Sequence, residues 1–428
     1  MTITQDIEID IFVASKIGSF KHIKYHTDLT KNNKKCIENL VDIKSLQKDD
    51  SITCMQWGND DQTEILVARK NQQIQVYSTL HQSVITTHTA DFAPGHIVGL
   101  GRCKRKLLAA TSSGFVRIWS KKTEELVQTG GKLDVMRICP DDVTLFATGG
   151  EENDLKLWRI GTPEPVFSAK NLPHDFLQLR RPIWVSGVAF SPGGGSLVAV
   201  CSRHGYVRLY DTRAQRRPVS NVEFPNMAAT CIIPSFDERQ FLVGFGRGQL
   251  HNVDLRASRP DKGYKGCAGA ISDIAVSRDH RLVVSTSLDR HLRVHSFDTK
   301  QMVYKQYLTS KLSCVLLQTA GSTPLRNDPR GVKEEGDEEG TKEEEQAVPV
   351  ADELDFIFEK METVGEKPKK KKQEEVEIDT SVKKMKPSTE GSTAVTSEDA
   401  IRQLLRSTEK LKRKREKKKR EKKAKSVY

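Results

Sequence analysis

His204-Gly-Tyr-Val-Arg-Leu-Tyr210 is a polar turn followed by alternating apolar and polar positions that end on a large residue. Five other stretches are built the same way: Asn71-Gln-Gln-Ile-Gln-Val-Tyr77, Ser113-Gly-Phe-Val-Arg-Ile-Trp119, Asn153-Asp-Leu-Lys-Leu-Trp158, Arg247-Gly-Gln-Leu-His-Asn-Val253 and Asp289-Arg-His-Leu-Arg-Val-His295. Each is a period-two strand leaving a tight turn. Their closing residues, at 77, 119, 158, 210, 253 and 295, are separated by 42, 39, 52, 43 and 42 residues.

About 20 residues upstream of each lies another apolar run, from 52–57 round to 271–276, and a third run sits between, as at 107–111 or 282–287. Three or four strands per 40–45 residues is the period of a β-propeller blade of WD-repeat type. A solenoid fits poorly, because β-rich units of this length pair internally. Six blades are visible, and the ends supply a seventh. Residues 312–317 form an innermost strand with no partner after it, while 10–14 and 20–25 form strands with no innermost strand before them. Joining them removes two open sheet edges. The expectation is an all-β, seven-bladed WD-repeat propeller over 1–318, its ends sharing one blade.

Beyond residue 318 the composition changes. Of the 69 Lys and Arg and 57 Asp and Glu in the 428-residue chain, 319–428 hold 27 and 25, in segregated runs. An acidic block, 331–366, is net −11, and a basic end, 410–428, is net +10. Such runs bury too little apolar surface to offset chain entropy, so a largely disordered, charged tail is expected. Within it, Lys412, Arg413, Lys414, Arg415, Lys417, Lys418, Lys419 and Arg420 read as a nuclear localisation signal. Thr396 or Ser397 caps a short expected helix near 397–411. Leu354, Ile357, Phe358 and Met361 stand at i, i+3, i+4 and i+7, the spacing of an anchor that seats in a groove.

Several classes of function are excluded. No run approaches 18 apolar residues, and residues 1–10 carry acids without an apolar core, so neither a membrane helix nor a secretory leader is expected. The eight cysteines include no CxxC, the closest two being 18 apart, and they read as buried free thiols of a reducing compartment. Gly193-Gly194-Gly195 precedes a strand rather than a helix and reads as a turn, not a phosphate cradle. The pairs His22/His26 and His291/His295 have HxxxH spacing, but in strands four residues span about 13 Å, too far for one ion. The acid pairs Asp60-Asp61 and Asp141-Asp142 read as turn formers. No enzyme, cofactor, metal or small-molecule substrate is expected.

The 52-residue interval contains 170–184, Lys-Asn-Leu-Pro-His-Asp-Phe-Leu-Gln-Leu-Arg-Arg-Pro-Ile-Trp. One reading is a crossover whose Leu172, Phe176, Leu177 and Trp184 cover a blade end. The other is a recognition surface through Phe176, Arg180, Arg181 and Trp184, residue types common as interface anchors. Arg213, Arg216 and Arg217 on a further loop join the partner-binding candidates. Lys104, Arg105 and Lys106, on one loop, are candidates for phosphate or rRNA contact, directed at the backbone and sensitive to salt.

Asn171-Leu-Pro-His-Asp175, Leu179-Arg180 with Pro182-Ile183-Trp184, Gln215-Arg-Arg-Pro-Val219, Gly248-Gln-Leu with Asp254-Leu-Arg256, and Leu288-Asp-Arg-His-Leu-Arg-Val294 together resemble the WD-repeat ribosome assembly factors of the WD repeat-containing protein 74 family. The resemblance is specific from 170 to 317 and architectural before it. It implies a nucleolar, non-enzymatic scaffold on precursors of the large (60S) ribosomal subunit. It also implies pre-60S assembly proteins and pre-rRNA as partners, and release by an AAA-type ATPase. A different reading comes from Tyr210-Asp-Thr-Arg213 and Val253-Asp-Leu-Arg256. Some propellers present such a tetrapeptide to the adaptor of a cullin-based ubiquitin ligase, as its substrate receptor.

Overall fold

The computed structural model describes residues 8–32, 34–120, 124–174 and 177–319, Lys34 without its side chain. Among them are seven four-stranded antiparallel sheets. Their innermost strands touch one another in a closed ring. Blades one to six begin with Ile52–Trp57, Ile97–Cys103, Leu133–Ile138, Val185–Phe190, Ala229–Pro234 and Ile271–Ser277. In the seventh, Leu312–Gln318 is innermost and pairs with Glu8–Ser15, followed by Phe20–His26 and Ile37–Asn39. The all-β seven-bladed propeller closed by both ends is the expected fold. Ile37–Asn39 is an addition: its three residues are too few and too polar to announce a strand, and it forms by pairing with Lys21–Ile23.

Strand alternation explains the closure. Ile9, Ile11 and Val13 point into a cluster with Ala275, Val284 and Val294 of blade six. Phe12 and Ala14, on the opposite face of the same strand, pack with Ile52, Met55 and Val67 of blade one. One strand therefore fastens two neighbours.

A second regularity runs round the ring. In each innermost strand the ladder shifts register after the first residue, as between Val185 and Gly187 or Ala229 and Cys231. A bulge leaves backbone groups unpaired, and side chains of adjacent blades satisfy several of them. Ser186 Oγ donates to Ala229 O (2.7 Å) and Thr230 Oγ1 to Ile271 O (2.7 Å). The Val315 N–H donates to Asp273 (3.0 Å), and Cys314 Sγ to Thr53 O (3.6 Å). Four consecutive blade junctions, from four round to one, are thus bonded at the same height.

Blade six carries a buried charge. Arg293, 1% exposed, donates to Ser287 Oγ (2.8 Å) and to both carboxylate oxygens of Asp289. Burial alone would raise the Asp289 carboxyl, but hydrogen bonds from Arg293, Ser287 and the His291 amide outweigh it and hold it well below the usual carboxylate range.

The smaller sequence readings are placed as follows. Gly193, Gly194 and Gly195 form a turn with φ of 111°, 93° and 72°, a region where side chains are strained. The Gly193 and Gly194 amides also grip Asp141 Oδ2 (2.9 and 2.7 Å), so one acid of the 141–142 pair joins two blades rather than merely forming its own turn. His22 lies 2.7 Å from Asp10, and His295 Nε2 3.0 Å from Lys265 O. All eight cysteines are free, six of them buried. The acidic block 331–366, the helix near 397–411, the Leu354–Met361 motif, the basic end 410–428 and Phe176 lie outside the described residues.

Two outcomes follow for urea denaturation. Phe12→Ala should lose about 3–5 kcal/mol, the range for a buried Phe, whereas Val84→Ala on an exposed outer strand should stay within about 0.5 kcal/mol. The stabilisation from ionised Asp289 is complete above the ordinary carboxylate value of about 3.9 and is lost as pH falls toward its depressed folded value. Asp289→Asn should therefore lower stability at neutral pH and shrink the further loss between about pH 4 and 2.

Candidate functional site

Antiparallel order sorts every connection onto one of two faces. Loops leading into an innermost strand share the leading face with the turns between second and third strands. Turns leaving an innermost strand share the trailing face with the loops between third and fourth strands. The crossover 169–184, between the two-residue strand Phe167–Ser168 and Val185–Phe190, lies on the leading face.

Polar groups brace the crossover along its length. The Lys170 amide donates to Arg216 O (2.8 Å), and Arg216 Nε returns a bond to Ser168 O (2.6 Å). Asn171 Nδ2 donates to Arg181 O (2.7 Å), while its Oδ1 accepts from Arg208 (3.0 Å). Arg208 is 5% exposed, lies 4.8 Å over the Tyr206 ring and also reaches Asn221 (3.3 Å). Beneath it, burial pushes the Asp154 carboxyl up, opposed by the Leu155 amide and then by Arg208. Arg181 pairs with Glu223 and stands over Tyr206. Arg180 pairs with Glu152 (2.8 Å).

At its C-terminal end, Trp184 Nε1 donates to Asp134 Oδ2 (2.5 Å). The Arg203 guanidinium covers the indole at 5.1 Å, and His204 meets its edge at 6.1 Å. Asp134 is the bulged residue of blade three, so this contact continues the junction bonds described above. Leu177 and Leu179 stand 62% and 59% exposed at the crest. The Leu177 side chain stands exposed rather than covering a blade end. Two exposed leucines beside Arg180 form a small apolar and cationic patch. Burying each leucine against a partner would contribute about 1.5–3 kcal/mol.

The other candidates lie elsewhere. Lys104 and Arg105 form a two-residue trailing-face turn of blade two, both exposed. Lys106 is not on that loop: it pairs with Cys103 as the first residue of its strand and binds Glu125 (3.1 Å), a partner too distant in sequence to foresee. Arg213, Arg216 and Arg217 belong to the 212–219 loop of blade four, also on the trailing face. Arg213 and Arg216 line an open groove of 520 Å³ with Val166. Sequence reasoning grouped Arg213, Arg216 and Arg217 with the crossover, and of the three Arg216 touches it. It missed Asp134, Glu152, Arg203, Tyr206 and His204. For Glu152, Arg203 and His204 the available signal was a place in turns neighbouring the crossover, whereas Asp134 and Tyr206 lie in strands.

The two tetrapeptides have a local explanation. Asp211 Oδ1 accepts the Arg213 amide (3.0 Å), and Asp254 Oδ1 accepts the amides of Arg256 and Ala257 (2.8 and 3.1 Å). Each aspartate closes its own turn, a common use of Asp.

Comparison with known proteins adds the following. A family model described as "WD domain, G-beta repeat" matches residues 180–211 and 259–296. The chain is similar to WD repeat-containing protein 74 of Homo sapiens, 32% identical over 281 residues that make up 63% of this chain and 73% of that protein. It is similar to Ribosome biogenesis protein NSA1 of Meyerozyma guilliermondii, 28% over 256 residues, 51% of this chain and 63% of the relative. The corresponding protein of Schizosaccharomyces pombe is 27% identical over 278 residues, 56% of this chain and 70% of its own length.

Asn171→Ala removes an acceptor from buried Arg208 and a tie to Arg181. It should cost about 1–3 kcal/mol and speed chymotryptic cleavage after Leu177 and Leu179, with the cleavage pattern elsewhere unchanged.

Proposed function

The chain belongs to the WD repeat-containing protein 74 family, and from that premise we propose that it is a non-enzymatic scaffold in ribosome assembly, acting in the nucleolus on precursors of the large subunit. The observation that carries this reading is the braced crossover 169–184, which offers Leu177, Leu179 and Arg180 on a fixed loop. Pre-60S proteins would dock there, with Arg181 and Trp184 holding the loop. Relatives named for ribosome biogenesis support the process.

Pre-rRNA would meet the trailing face through Lys104 and Arg105, with Arg213 and Arg217 two blades on. Such contacts reach phosphates, so their strength falls steeply with salt. Lys106 contributes less, being held by Glu125. The basic end, from Lys412 to Arg420, would direct the protein to the nucleus. An AAA-type ATPase would release the scaffold, as the resemblance to the family implies. The substrate-receptor reading loses its specific support, because Asp211 and Asp254 already serve their own turns.

Sedimentation of tagged protein from cell extract on sucrose gradients tests the proposal. Intact protein should co-migrate with large-subunit precursors. Leu177→Ser with Leu179→Ser and Arg180→Glu should move it to light fractions, and Arg256→Ala, at a residue outside both proposed surfaces, should leave it in place. Light sedimentation of the intact protein, or capture of a ligase adaptor that depends on Arg213 and Arg256, would sink the scaffold reading.

A further inference from the structure

The channel through the ring opens on the trailing face into a cavity of 300 Å³. Its lining includes Trp57, Ile138, Pro140, Ile233, Val276 and Leu316, none of them fully buried, with Arg137 and Asp273 among the polar groups. Asp273 is half-buried and accepts the amides of Val315 and Ile274 at 3.0 Å, so its carboxylate is already engaged by the ring's own backbone. What stands open is the apolar wall. A half-exposed indole beside isoleucine, valine and leucine is costly to leave in water.

The place where the chain leaves the ring selects the occupant. Leu312–Gln318 is the last innermost strand and runs toward the trailing face; Leu317 itself lines the cavity. The next residue, Thr319, is tied to Gln62 in the first trailing turn of blade one through its amide (2.6 Å) and its hydroxyl. The tail therefore starts at the lip of the channel. Leu354 is 35 residues further on. A coil of that length has a root-mean-square span of about 30–35 Å, and a tether of this kind holds its end near the mouth at about millimolar effective concentration.

We infer that the channel mouth is the docking site of this chain's own segment around Leu354, Ile357, Phe358 and Met361, seated as one apolar helical stripe with Phe358 as the anchor in the cavity. The stripe lies in an acidic block, just after a shorter apolar run, Ala347-Val-Pro-Val-Ala351. Docking would place that net −11 block on the face that carries Lys104, Arg105 and Arg217, cations without an ion-pair partner among the described residues. The tail then covers the cationic face whenever its stripe is seated.

Full-length protein with p-benzoylphenylalanine in place of Phe358 tests this, by ultraviolet cross-linking and mass spectrometry of the cross-linked peptides. The expected products are intramolecular links to the peptides that contain Trp57, Ile138 or Leu316. Leu354→Ser with Met361→Ser, which leaves the ring untouched, should abolish them, and Ile138→Glu at the mouth should do the same. Links to other surfaces of the same chain, dimer-sized products or no links at all would each overturn the inference. So would persistence of the mouth links in the double serine variant.

Discussion

Six residues of the last strand, Leu312–Gln318, pair with the first, Glu8–Ser15, with Val13 opposite Val315 and Phe12 opposite Leu316. Without that pairing the ring would be an open row of six sheets ending in two exposed edges. The pairing also fixes the circumference. Only in a closed ring does Val315 stand beside Asp273, or Cys314 beside Thr53, so the side-chain bonds that repair the bulges depend on closure having occurred. Long-range pairing of this kind, between positions some 300 residues apart, carries a loop-closure cost before any contact compensates for it. The alternation of Ile9, Ile11 and Val13 toward one neighbour, and Phe12 and Ala14 toward the other, is what compensates.

The same antiparallel order determines what the surface can do. A residue's face follows from which connection it occupies, not from its distance along the chain. Arg181 and Arg217 are 36 residues apart and look like one basic region in sequence. In the ring one braces the crossover on the leading face, and the other lies in a trailing-face loop. Lys104 and Arg105, far off in sequence, share the face of Arg217. A ring built this way carries two separate surfaces, one with exposed leucines beside Arg180 and the other with exposed Lys104, Arg105 and Arg217.

Much of the fold was legible because period-two strands and a 40-residue spacing are local properties. His204-Gly-Tyr-Val-Arg-Leu-Tyr210 announces its strand without reference to anything else. The terminal blade was legible for a different reason, since two orphan ends need each other. What could not be read was whatever depends on partners distant in sequence. Lys106 reads as the third base of a loop until Glu125 is placed beside it. Leu177 reads as cover for a blade end, yet its side chain stands exposed. The cluster around Trp184 draws Asp134 from 50 residues away, and no spacing in the sequence marks it. Even the Asp of Tyr210-Asp-Thr-Arg213, conspicuous as a motif, proved to serve the turn that contains it.

The position of Thr319 has a mechanical side. Thr319, the last described residue, follows the end of an innermost strand, so a pull at that point can act along the strand's own axis. A pull on the tail in that direction loads all the pairings between Leu312–Gln318 and Glu8–Ser15 at once, in shear, rather than opening them one after another. The same strand is the ring's clasp. Traction along that strand would therefore meet the clasp at its most resistant, whereas force applied sideways to it would peel it pair by pair and let the ring spring open.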